Sequence, residues 1–105
     1  MKPGRLRPAA EEDLVRAARH YAAEGGRALA ERMFDAALAS LEPIELNPSL
    51  GSPRLGKICE IPGLRSWAVT GFPLRWFYFE RDDHIDVVRL LGERQDIAEI
   101  LSSTL

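Results

Sequence analysis

Cysteine, histidine and lysine are scarce in this chain, and no long apolar run occurs. The lone Cys59 excludes an internal disulfide framework and a multi-cysteine metal site. The 2 histidines and scattered carboxylates show no ligand spacing, so neither a metal nor a cofactor is expected. Apolar stretches are short and interrupted by charge, which leaves no membrane span. The segment Met1-Lys2-Pro3-Gly4-Arg5 lacks the apolar core of a signal peptide, and the expected location is the cytoplasm. Neither sign of charge dominates: 14 basic against 16 acidic residues leave a net charge of −2. That balance argues against a protein whose main work is gripping phosphates and against direct sequence-specific DNA binding, while leaving room for a local basic face.

What is present is ordinary globular material. With 46% hydrophobic and 29% charged residues over 105 positions, the chain is expected to form one domain, 1–105, around one core. A short segment around Leu6, bounded by Pro3 and Pro8, fits an edge strand. From Ala9, the residues Leu14, Ala17, Ala18 and Tyr21 recur at helical spacing, with Glu11, Glu12, Asp13, Arg16 and Arg19 assigned to water. Gly25-Gly26 ends that helix. A second helix is predicted from about Arg27 to Leu46, with Leu29, Met33, Phe34, Ala37, Leu38 and Leu41 inward and Pro43 as a point of kinking.

The stretch Asn47 to Gly56 is rich in Pro, Gly and Ser and reads as an extended loop without helix. Ile58 and Cys59 are candidates for an early start of the sheet. Three strands follow, at about Leu64 to Thr70, Leu74 to Glu80 and Ile85 to Leu91, joined by short connections into an antiparallel meander. Gln95 to Leu101 reads as a short terminal helix. The fold class is therefore α+β: a short N-terminal strand and a helical hairpin packed on a small antiparallel sheet of three to four strands, closed by a C-terminal helix.

Period-two alternation groups Arg65, Trp67 and Val69, then Arg75, Phe77 and Phe79, then Ile85, Val87, Arg89 and Leu91. The reading taken is that these three sets share the side away from the hairpin, while Leu74, Trp76, Tyr78, Val88 and Leu90 pack against it. A surface mixing aromatics with arginines suits protein binding, with Trp67, Phe77 and Phe79 as anchors and Arg65, Arg75, Arg89 and Arg94 as polar contacts. The competing reading is core packing for the aromatics and solvated arginines, or arginines paired with acids such as Asp86 and Glu60.

Several positions, in order, carry a resemblance. They are Ala10, Asp13-Leu14 and Tyr21; Asn47-Pro48 and Gly51; Pro62-Gly63-Leu64-Arg65; Gly71-Phe72-Pro73; Tyr78; Arg89; and Arg94 with Asp96. In this the chain resembles the small toxins of the ParE/RelE superfamily of bacterial toxin–antitoxin modules, and within it the ParE branch. Gly92 departs from the pattern, because many relatives have histidine there. The resemblance implies a cognate ParD-like antitoxin and, for the ParE branch, DNA gyrase as target without catalysis. The alternative is a RelE-like ribosome-dependent messenger RNA endoribonuclease, in which Arg65, Arg75, Tyr78 and Arg89 would have to supply acid, base and cation. A third reading is a non-toxic, degenerate antitoxin-binding domain.

Overall fold

A computed structural model describes residues 1–104. Strand β1 (Gly4–Leu6) leads into a long helical element α1 (Pro8–Ala39), the short helix α2 (Leu41–Leu46) and a 3-10 turn at Pro48–Leu50. Then come α3 (Arg54–Ile58), β2 (Arg65–Ala68), β3 (Leu74–Glu80), β4 (Ile85–Gly92) and α4 (Ile97–Thr104).

The hairpin expected from the glycine pair is present inside α1. Gly25 (φ −143°) and Gly26 (φ 83°) leave the helical region and divide it into two arms. The second value lies where a residue with a Cβ is strained, so Gly26 permits the reversal. The second arm ends at Ala39 because Pro43 has no N–H to return to the Ala39 carbonyl and its ring crowds that oxygen. The chain bends at Ser40 and resumes as α2.

The sheet has the order β1-β4-β3-β2. The meander β2-β3-β4 is antiparallel as expected, and β1 lies parallel to β4 at the edge, pairing Gly4 with Ile85 and Leu6 with Val87. The sheet is thus mixed. Arg7 anchors this edge, its side chain reaching Asp86 through two bonds of 2.9 and 2.8 Å.

Each side of the sheet is covered. On the hairpin side, Leu14, Met33, Ala37, Leu41 and Ile44 pack on Leu74, Trp76, Tyr78, Ile85, Val87 and Leu90. Trp76 is fully buried, and its Nε1–H donates to the Ala37 carbonyl at 2.9 Å, fastening the second arm to β3. On the other side, Leu64, Phe77, Val88, Leu91 and Leu101 form a second cluster, with Leu55, Ile61, Phe79, Ile97 and Ile100 packed against it.

Several sequence expectations are corrected here. The 47–56 stretch is not a plain loop: it holds the 3-10 turn and the start of α3, and Ile58 and Cys59 close that helix instead of opening the sheet. Asp13 is buried, not solvated, while Phe34 (37% exposed) and Leu38 (43%) point outward from the second arm. The three residue sets also do not share a side. Trp67 pairs with Trp76 and Arg65 with Tyr78, so the β2 set faces the hairpin while Arg75, Phe77 and Phe79 face α4. In β4 the register shifts opposite Phe77 and Tyr78, leaving Val88 as the extra residue. Such a bulge breaks the two-residue period. Ile85, Val87 and Leu90 therefore meet the hairpin, whereas Val88 and Leu91 meet α4.

Candidate functional site

The arginines and Tyr78 are best understood from what each one holds. Arg65 and Tyr78 are cross-strand partners, and both reach the segment before α3. The Arg65 Nη1–H donates to the carbonyls of Ser49 (3.2 Å) and Gly51 (2.7 Å). The Tyr78 hydroxyl donates to the Pro48 carbonyl at 2.7 Å and accepts the Gly51 N–H at 2.9 Å. Burial pushes the Tyr78 phenol above its ordinary value. With its oxygen committed and its proton held more tightly, Tyr78 is a tether for residues 48–51.

Arg89 is held by Asp13, which sequence reading had assigned to water. Its Nε–H and Nη2–H donate to the two carboxylate oxygens at 2.6 and 2.8 Å, and Nη1–H donates to the Thr104 hydroxyl at 2.7 Å. Asp13 also accepts the Leu90 N–H at 3.0 Å. The hydrogen bonds to Asp13 push the Arg89 guanidinium further above its ordinary value. Three elements, α1, β4 and α4, are locked by this one side chain.

Arg75 lies on the opposite side of the sheet from Arg65 and donates to Ser66 Oγ from Nε (3.2 Å) and Nη2 (3.1 Å). Phe77 is completely buried beneath α4 and offers no surface as an anchor. Phe79 is half-buried under the Arg81 guanidinium, 4.7 Å from the ring centroid. Trp67 is half-buried against the hairpin-side core, and Arg94 is exposed in the turn after β4. Thus Arg65, Arg75, Tyr78 and Arg89 do not converge on one cleft. Their expected acid partners differ as well: Asp86 takes Arg7 and Arg81, and the sheet arginines take Asp13 or neutral oxygens.

Two open grooves flank this framework. One, of about 450 Å³, runs between the first arm and the 92–95 turn, lined by Arg16, His20, Tyr21, Leu90, Gly92 and Arg94. Gly92 donates its N–H to Gln95 Oε1 at 2.6 Å, closing that turn. The other, of about 410 Å³, lies between the two arms, lined by Ala18, Ala22 and Ala30, with Phe34 beside them and Arg27, Glu31 and Asp35 around it. Sequence reading placed Phe34 inward. Its neighbours one and four positions away share the apolar stripe, and only the packing of the arms shows which edge of a broad stripe is left outside. Among the described residues no group of three or more histidine, cysteine or acidic side chains gathers as a metal site.

The fold is similar to a solved chain of the chromosomal ParDE TA system from P. aeruginosa, with a TM-score of 0.76 and 19% identity over 88% of this chain and 96% of that one. Identity that low speaks for shared architecture alone. No curated protein matches the sequence. Residues 5–97 match the family model described as the ParE toxin of type II toxin-antitoxin system, parDE, and the chain belongs to that family.

Proposed function

We propose that this chain is the toxin of a type II toxin–antitoxin pair, that it acts in the cytoplasm by binding DNA gyrase without catalysis, and that a cognate ParD-like antitoxin neutralises it. The observation carrying this reading is the dispersal of Arg65, Arg75, Tyr78 and Arg89. A ribonuclease needs a proton donor and acceptor within reach of one phosphate. Here the phenol is sealed and doubly bonded, and Arg65 and Arg75 stand on opposite sides of the sheet. Among the described residues no helix is long and apolar enough to cross a membrane.

For the antitoxin, an amphipathic segment would lie in the alanine-lined groove between the arms, against the outward Phe34 and Leu38. Arg65, Trp67, Arg75, Phe79 and Arg94 keep surface for contact, while Phe77 and Arg89 serve from beneath by holding α4 in place.

Gyrase supercoiling and cleavage by the purified chain, beside a test for messenger RNA cleavage during translation, decides the matter. Stabilised DNA breaks with intact RNA are expected. Cut RNA with unaffected gyrase would overturn the reading in favour of the RelE-like activity. Unchanged growth on expression without the antitoxin would favour a degenerate domain.

A further inference from the structure

On the α4 side of the sheet, at the β2 edge, a cleft of about 310 Å³ opens between α3, β2, β3 and the start of α4. Its polar lining is Ser52, Arg54, Ser66, Arg75 and Glu93, with Leu55 and Ile97 as apolar walls. The frame is firm: Ser52 and Ser66 exchange both backbone bonds, at 2.8 and 2.9 Å. Ser66 is 2% exposed.

The hydrogen bonding of this cleft is lopsided. Ser66 Oγ accepts two N–H groups from Arg75, and Ser52 Oγ accepts the Arg54 N–H at 3.2 Å. Among the described residues neither hydroxyl proton has an acceptor, the Arg54 guanidinium has no partner, and Arg75 Nη1 is unused. The exposed Arg54 guanidinium and the free Arg75 Nη1 thus border the cleft with N–H donors that no protein group takes up, beside two hydroxyls that already accept. Glu93 lines the same cleft but pairs with neither arginine.

We infer that this cleft binds a phosphate group, held by Arg54 and Arg75 and by the hydroxyls of Ser52 and Ser66, with Glu93 weakening the affinity. Two guanidinia and two hydroxyls arriving from different elements suit a tetrahedral oxyanion with three or more acceptor oxygens better than a planar carboxylate with two. The chain is slightly acidic overall, but residues 53–75 carry Arg54, Lys57, Arg65 and Arg75 against Glu60 alone. Of these, Arg54 and Arg75 line the cleft, while Arg65 stands on the other side of the sheet. The inference does not depend on the topoisomerase reading.

The test is an NMR titration of the full chain with inorganic phosphate at constant ionic strength, with chloride as the control. Saturable shifts at the Ser52 and Ser66 amides and at Arg75 Nε–H are expected. Arg75→Gln weakens binding by about tenfold, as the loss of a charge-assisted bond implies. Arg54→Gln and Glu93→Gln are exposed changes that leave the fold intact; the first weakens binding several-fold and the second tightens it. A mononucleotide and a short single-stranded oligonucleotide then identify the source. Tighter, Arg75-dependent binding of the oligonucleotide points to a strand backbone, and preference for the mononucleotide points to a free phosphate ester. Linear shifts shared with chloride, or affinities unmoved by all three substitutions, would overturn the inference.

Discussion

Replacing Asp13 with alanine tests whether the bond network around Arg89 holds the fold together. The two side chains are 5% and 14% exposed, and the carboxylate accepts three N–H groups, at 2.6, 2.8 and 3.0 Å. Asp13→Ala leaves a largely buried guanidinium without its counter-charge and the Leu90 N–H without an acceptor. Breaking a buried pair from one side costs about 3–5 kcal/mol. Because Arg89 retains Thr104 and some access to water, the lower end applies, about 3 kcal/mol. Against a typical total of about 5–15 kcal/mol, that is a large share. In urea, with a slope of about 1.5 kcal/mol/M for a chain of this size, the unfolding midpoint followed by far-ultraviolet circular dichroism falls by about 2 M. The double variant Asp13→Ala/Arg89→Met should be more stable than Asp13→Ala alone, because the stranded charge is gone. A midpoint shift below about 0.5 M for Asp13→Ala, or no recovery in the double variant, would refute the reasoning.

Gly51→Ala is expected to cost about 1–3 kcal/mol, because the added methyl would sit 2.7 Å from Cε1 and Cζ of the Tyr78 ring. Near-ultraviolet circular dichroism and urea midpoints would register the displaced tyrosine. Glu60 sits at φ 58°, so Glu60→Gly should raise stability by about 0.5–1 kcal/mol, the relief of left-handed strain less the extra freedom of unfolded glycine; an unchanged or lowered midpoint would contradict this. The hydrogen bond from Arg7, reinforced by Arg81, holds the Asp86 carboxyl below the usual carboxylate range. A depressed folded-state value means that the contribution is present above the unfolded value of about 3.9 and is lost as pH falls through the folded one. Asp86→Asn should therefore flatten the acid limb of stability below about pH 4 and lower the plateau above it, as read by thermal melts across pH.

Local periodicity and turn chemistry determined much of this protein from its sequence alone. Gly25-Gly26 marked the hairpin, Pro43 a kink in the second helix, Gly71-Phe72-Pro73 the turn into β3, and the alternation of Leu74, Trp76 and Tyr78 a shared side of that strand. Each of these is decided by residues within a few positions of one another, and so is legible without the fold. The family resemblance came from the order and spacing of such local pieces.

The tertiary structure decided what depends on partners far along the chain. Asp13 reads as one more acid in a helix's first turns until Arg89, 76 residues away, arrives to bury it. Phe77 reads as part of an exposed surface until α4 folds across it. A single extra residue, Val88, moved half of β4 to the other side of the sheet, because side-chain direction in a strand reverses with every residue. The donor-lined cleft of Ser52, Arg54, Ser66 and Arg75 was likewise invisible, since it exists only where α3, β2 and β3 meet. Local spacing sets which elements form; the pairing of distant charges and the covering of faces are settled only when those elements pack.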